Sequence, residues 1–191
     1  MLHTTFRKAQ EAGVCHSEYT KMAKALGGIK EYGENTPVPL DKILDVCGLD
    51  VSLWSLRCII EPADKEIRLL ACDFAGHTLH IFEEKHPNNK RPRQVIEISR
   101  KFSEGKATRE ELDAARDAIW DAGVAVEAAA WDAGDDIAGI AARAAARAAA
   151  EAARDAAGDA AYVIERQWQE QKFREMLNTP LLQVQYPAHI P

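Results

Sequence analysis

The chain has 191 residues, with 24 Lys and Arg against 30 Asp and Glu, a formal net charge of −6 and a hydrophobic fraction of 47%. That length suits one domain, or one domain with a small appendage. Its longest apolar runs are broken by Arg, Asp or Glu before the roughly 18 to 20 residues a membrane span needs, and Met1-Leu-His-Thr-Thr opens no secretory signal pattern, so a cytoplasmic protein is expected.

In chain order, helix punctuation is dense and strand signals are nearly missing. Residues 3–12 read as a short helix stopped by Gly13, and Ser17 opens a second over 18–26, stopped by Gly27-Gly28. Residues 28–39 read as a loop. A third helix over 40–47 ends at Gly48, and Asp50 is placed to cap a fourth that carries Leu53, Trp54, Leu56 and Ile59. Pro62 opens a long helix over 63–85, ended by Pro87, and Pro92 opens another over 93–103, ended by Gly105. Thr108-Arg-Glu-Glu111 is a capping box, in which a hydroxyl and a carboxylate each satisfy a free backbone N–H. The organisation expected is a small N-terminal helical unit over 1–60, an alanine-rich bundle over 61–178 and an extended tail over 179–191, bounded by prolines. Cys15, Cys47, Cys58 and Cys72 form no CxxC pair and are expected to be buried thiols.

Half of residues 114–161 are alanine, the best helix former, and the glycines at 123, 134, 139 and 158 divide the region into two or three helical pieces. On a helical wheel Leu112, Ala115, Ile119, Ala122, Val126, Ala130, Ala133 and Ile137 share one arc of roughly 80°, the expected buried face. Glu110, Asp113, Asp117, Asp121, Asp132 and Asp135 share another arc and face outward. The charge is concentrated here: residues 108–137 hold two arginines and nine acids, a net −7, whereas residues 1–60 carry 0 and 61–107 carry +1. A broad basic face, which direct nucleic-acid binding needs, is missing. Trp120 stands among the acids, the composition of a binding hot spot, so Asp113, Asp117, Trp120, Asp121, Asp132 and Asp135 form the expected partner surface. Asp132-x-x-Asp135-Asp136 also has a Mg²⁺-binding spacing, but the second acidic cluster such chemistry requires on a facing helix is not evident.

Two further groups carry chemistry. Asp73, His77, His80 and Glu84 fall at i, i+4, i+7 and i+11 on the long helix, an arrangement suited to general-base or metal chemistry; the plain alternatives are a polar stripe or a buried hydrogen-bonded network. Lys90, Arg91 and Arg93 gather positive charge at a helix N-terminus, which suits a small anion or a signalling nucleotide, unless they pair internally with Glu97 or the acidic arc. No glycine-rich phosphate loop accompanies them.

The stretch RLLACDFAGHTLHIFEEKHPNNKRPRQVIEISRKFSEGKAT, residues 68–108, resembles the core motif of a family classed as immunity proteins of bacterial toxin systems. Its agreement lies at Ala71, Cys72, Asp73, Ala75, Ile81, Phe82, Glu83, Pro87, Arg91, Pro92, Arg93, Ile96, Glu97, Gly105 and Thr108, with departures at Asn88-Asn89 and Phe102. LHTTFRKAQEAGVC and VPLDKILDVCGLDVSLWSLRC resemble a companion segment of phage and prophage proteins. The resemblance implies an all-α fold and a protein that neutralises another by binding it: a toxin, or a host defence protein if the chain is phage-borne. The expectation is therefore an all-α helical bundle that acts as a non-enzymatic binding and inhibitory protein, without cofactor, membrane or direct nucleic-acid partner. It leaves room for a homo-oligomer. An anion binder built on Lys90, Arg91 and Arg93, and a metal-dependent hydrolase built on Asp73, His77, His80 and Glu84, are the rival readings.

Overall fold

Two glycines mark sharp helix ends. Gly48 and Gly158 have φ of 85° and 83°, the left-handed region that a side chain resists, and each separates two helices that could not otherwise turn so tightly. The computed structural model describes residues 1–117 and 138–180. In it β1 (His3–Thr4), α1 (Phe6–Glu11), α2 (His16–Ala25), α3 (Ile29–Tyr32), β2 (Val38–Pro39), α4 (Leu40–Cys47), α5 (Leu49–Ser55) and a 3₁₀ turn (Leu56–Cys58) form the first part. α6 (Asp64–His77), α7 (Leu79–Lys85), α8 (Arg91–Ser103), α9 (Arg109–Asp117), α10 (Ala138–Ala157) and α11 (Asp159–Asn178) follow. The class is all-α, as expected, with one two-stranded antiparallel ladder in which His3 faces Pro39 and Thr4 faces Val38.

That ladder corrects the reading of the first residues. α1 begins at Phe6 rather than residue 3, because His3 and Thr4 are extended against Val38–Pro39 and Thr5 caps the helix, its hydroxyl accepting the Lys8 N–H at 3.0 Å. The expected loop over 28–39 accordingly contains α3 and β2. Asp50 does not cap α5; Gly48 does, and Asp50 lies in the first turn with its carboxylate turned to arginines of α10 and α11. The long helix expected over 63–85 is two. It breaks at Thr78 (φ −96°, ψ 2°), where Gly76 and a β-branched threonine are both weak helix formers.

Elsewhere local chemistry set the boundaries. Pro92 occupies the first turn of α8, and Gly105 follows its end. The Thr108 N–H donates to Glu111 Oε2 at 2.8 Å, and the Glu111 N–H donates to the Thr108 hydroxyl at 3.2 Å, the reciprocal capping box.

α6 is the central rod. It packs on α8 on one side and α10 on the other, while α10 also packs on α11 and α5. Ala142, Ala145, Ala146, Ala149, Ala150 and Ala153 recur at helical spacing on α10 and are all buried. Methyl groups alone let α10 approach α6 closely, so that Ile67, Leu70, Phe74 and, from α11, Phe173 and Leu177 fill the space between. Leu2, Phe6, Leu40, Leu44 and Leu53 join the same apolar cluster, so the first sixty residues and the alanine-rich helices share one core. Of the expected buried arc, Leu112 is buried and Ala115 half-buried; its members from Ile119 to Ile137 lie outside the described residues. Among the described residues no helix is long and apolar enough to cross a membrane.

Cys58 and Cys72 are buried thiols, Cys47 is half-buried, and Cys15, against expectation, is exposed; all four are free. Cys15 is the N-cap of α2, and its Sγ lies 3.2 Å from the Ser17 hydroxyl.

Candidate functional site

A cleft of about 350 Å³ opens between α6, α8 and α11. α6 contributes Asp73, Gly76 and His77 to it, α8 contributes Arg93, Ile96, Glu97 and Arg100, and α11 contributes Trp168 and Lys172. Gly76 matters by what it lacks: a Cβ there would stand 3.8 Å from Arg100 Nη2, at ordinary contact distance, so any longer side chain would compete with Arg100 for the cleft.

The charges of the cleft are pinned. Asp73 accepts Arg100 at 2.6 Å on one carboxylate oxygen and faces Lys172 Nζ at 3.5 Å on the other, tying three helices together. Arg93 is not free to hold an anion, because its Nε and Nη2 grip the two oxygens of Glu83 at 2.8 and 2.6 Å in a bidentate fork. That hydrogen bonding holds the Glu83 carboxyl below its ordinary range and raises Arg93. Internal pairing was one of the expected outcomes for Arg93, with Glu83 rather than Glu97 as the close partner.

His77 is held from two sides. Its Nδ1 lies 2.6 Å from Glu165 Oε2, and its ring stacks on Trp168 with centroids 3.6 Å apart and planes 2° from parallel. Glu165 and Gln169 are fully buried polar groups on α11. The Gln169 amide donates to the Ala146 carbonyl of α10 at 2.9 Å and to Glu165 Oε1 at 2.8 Å, and its oxygen accepts from Arg166 at 3.0 Å. Each buried polar atom of this network thereby has a partner, which burial demands.

The four residues read as one stripe do not act as one. Asp73 and His77 line the cleft, but the break at Thr78 ends the helical register before His80 and Glu84. His80 Nδ1 lies 3.0 Å from the His77 carbonyl, closing the turn between the two helices, and Glu84 is exposed on α7. Among the described residues no three His, Cys, Asp or Glu side chains are placed to hold a metal ion. Lys90 and Arg91 also part from Arg93: both are exposed and line a separate shallow depression with Asn88, Asn89 and Gln94, where the Arg91 N–H donates to Asn89 Oδ1 at 3.2 Å.

On α9, which packs on α8, Glu110, Asp113 and Asp117 are exposed, as the wheel placed them. Trp120, Asp121, Asp132 and Asp135 lie outside the described residues. The sequence reading missed Arg100, Glu165, Gln169 and Lys172, and Trp168, which reads as a core or interface anchor, packs against the core. Glu165 and Gln169 have a visible signal, since with Phe173 and Leu177 they repeat every four residues on the buried face of α11, but being polar they disguise that face.

The fold is an all-α bundle, and Asp73, Arg93, Arg100 and Lys172 of its cleft are held in ion pairs within the chain. Residues 59–167 match the family described as Imm-5 like putative immunity protein, and the chain belongs to that family. No curated protein and no solved structure matches the chain. The matched segment begins just after the 3₁₀ turn and ends in α11 between Glu165 and Trp168, so both α11 residues that line the cleft, Trp168 and Lys172, lie beyond it. The motif residues Asp73, Arg93, Ile96 and Glu97 line the cleft, and Glu83 holds Arg93 from behind.

Proposed function

We propose that this chain is a non-enzymatic inhibitor that neutralises a protein by binding it, the partner being a bacterial toxin or, for a phage-borne chain, a host defence protein. Membership of the immunity-protein family carries the reading. The geometry supports it: Asp73, His77, Arg93, Arg100 and Lys172 are all engaged in ion pairs or hydrogen bonds within the chain, which suits a rigid scaffold better than a reaction centre.

The contact surface in this reading includes Asp113 and Asp117 on α9, together with Trp120, Asp121, Asp132 and Asp135 of the same acidic stretch of sequence. A net −7 over residues 108–137 steers a basic partner surface into register and accelerates association at low salt. Pull-down with the full chain from cells that carry its neighbouring genes, followed by co-expression with the protein it captures, tests the proposal. A stoichiometric complex and restored growth are the expected outcome; growth arrest that persists with both proteins folded and no complex would refute it.

The anion reading for Lys90, Arg91 and Arg93 has less support, because Arg93 is occupied by Glu83 and faces a different depression from the other two.

A further inference from the structure

A second cluster of charge lies away from both the cleft and the acidic face, where α5 and the 3₁₀ turn meet α10 and α11. Four arginines gather there, two of them in contact with one carboxylate. Arg147 Nε stands 3.5 Å from Asp50 Oδ1 and Arg166 Nη2 3.1 Å from Asp50 Oδ2, so Asp50 is shared by two guanidinium groups. Arg57 lies over the Trp54 ring at 4.9 Å and donates from Nε to the Trp54 carbonyl at 3.1 Å. Arg143, one helical turn before Arg147, has a buried Nε with no hydrogen-bond partner. Neither Arg57 nor Arg143 forms an ion pair among the described residues.

Such an arrangement is costly by itself. Arg143 and Arg147 are like charges at i,i+4, which destabilises a helix. Burial pushes the Arg143 guanidinium down, and the charges of Arg147 and Arg57 push it further, while Asp50 opposes them. A buried donor without a partner is a desolvation penalty that a native fold ordinarily avoids. An oxyanion with several acceptor atoms would remove all three defects at once: it would accept the orphan Nε, screen the arginine pair and balance the charge that Asp50 leaves uncompensated. Guanidinium forks are suited to phosphoryl and carboxylate oxygens, and the Trp54 ring beneath Arg57 holds that guanidinium in place.

We infer that Arg57, Arg143, Arg147 and Trp54, with Asp50 and Arg166 as their fixed backing, form an oxyanion-binding site that takes a phosphoryl group or a cluster of carboxylates. The site uses Asp50, Trp54 and Arg57, which precede the family-matched segment. It is therefore a property of this chain's joint between its first helices and α10, and it stands independently of the acidic face.

Calorimetry on the full chain tests it, with inorganic pyrophosphate in one arm, a hexaglutamate peptide in a second and sodium chloride of equal ionic strength as control. Binding of pyrophosphate that Arg143→Gln with Arg147→Gln weakens about tenfold or more, the loss of one or two charge-assisted hydrogen bonds, while Lys90→Gln with Arg91→Gln leaves it unchanged, identifies a phosphoryl site. The same pattern for hexaglutamate alone identifies a site for acidic protein side chains. Arg57→Gln, which removes a guanidinium without an ion pair, provides the comparison should the double variant unfold, and it should weaken binding in the same direction. No binding of either probe above the chloride control, or binding that survives loss of these arginines, would overturn the inference.

Discussion

His77 lies flat on Trp168 while its Nδ1 contacts Glu165, so one imidazole joins the end of α6 to the middle of α11 by a ring face and by a hydrogen bond. Because Gln169 ties the same glutamate to the α10 backbone, three helices depend on one buried carboxylate. Glu165→Ala should cost about 1 to 3 kcal/mol, since it leaves one Gln169 amide hydrogen and the His77 Nδ1 without the partner they share. His77→Ala should cost less, because its side chain is 38% exposed. A double-mutant cycle by denaturant unfolding should give a coupling of about 0.5 kcal/mol or more between the two; additive effects would mean that the 2.6 Å contact contributes nothing.

The alanine face of α10 predicts a contrast within one helix. Ala145 is fully buried against α6, so Ala145→Leu should overpack the joint and lose about 1 to 3 kcal/mol. Ala156 is exposed on the same helix, and Ala156→Leu should stay within about 0.5 kcal/mol of the parent. Thermal unfolding of the two variants distinguishes a packed seam from a merely helical segment.

Sequence and structure agree where the determinants are local. The capping box at Thr108 and Glu111, the helix Leu40–Cys47 ending at Gly48, and the turn of chain at Gly158 all follow from residues within a few positions of each boundary. What the sequence hid depends on partners far along the chain. Nothing near His3 announces that it will pair with Pro39, 36 positions away. Nothing near Asp50 announces that arginines almost a hundred or more residues later will claim its carboxylate. Likewise the polar Glu165 and Gln169 look like surface residues until His77 and Ala146 arrive to satisfy them. Half of the cleft was legible, through Asp73, His77 and Arg93, because family motif and helical spacing marked those residues; the α11 wall was not.

The four thiols should differ sharply in reactivity. Hydrogen bonds from the Ser17 side chain and backbone lower the exposed Cys15, whereas burial pushes Cys72 up to about 12 and raises Cys58. In the native protein at pH 8, iodoacetamide followed by mass spectrometry should modify Cys15 first and leave Cys58 and Cys72 intact. Early alkylation of Cys72 would place it outside the core.

Stability should carry an acid-sensitive component at the N-terminal joint. Burial works to raise the Glu61 carboxyl, but hydrogen bonds to the His3 backbone N–H at 2.8 Å and to its ring at 2.6 Å outweigh it and hold the group below the ordinary carboxylate range. A depressed carboxyl contributes stability above its unfolded pKa and loses it as pH falls through the folded one. The denaturation midpoint should therefore decline from about pH 4.5 downward, and Glu61→Gln should flatten part of that decline. An identical acid profile for the variant would remove Glu61 from the account.

The central claim, that the chain neutralises a protein through its acidic face, is tested most directly by the variant Asp113→Lys with Asp117→Lys, scored together for inhibition of the co-expressed toxin and for thermal midpoint. Reversing two charges on the exposed side of α9 leaves an i,i+4 like-charge pair of the opposite sign and inverts the steering field. The account predicts that inhibition is abolished with no fall in the thermal midpoint. A folded double variant that still inhibits like the parent would contradict it and would move the interface to another surface of the bundle.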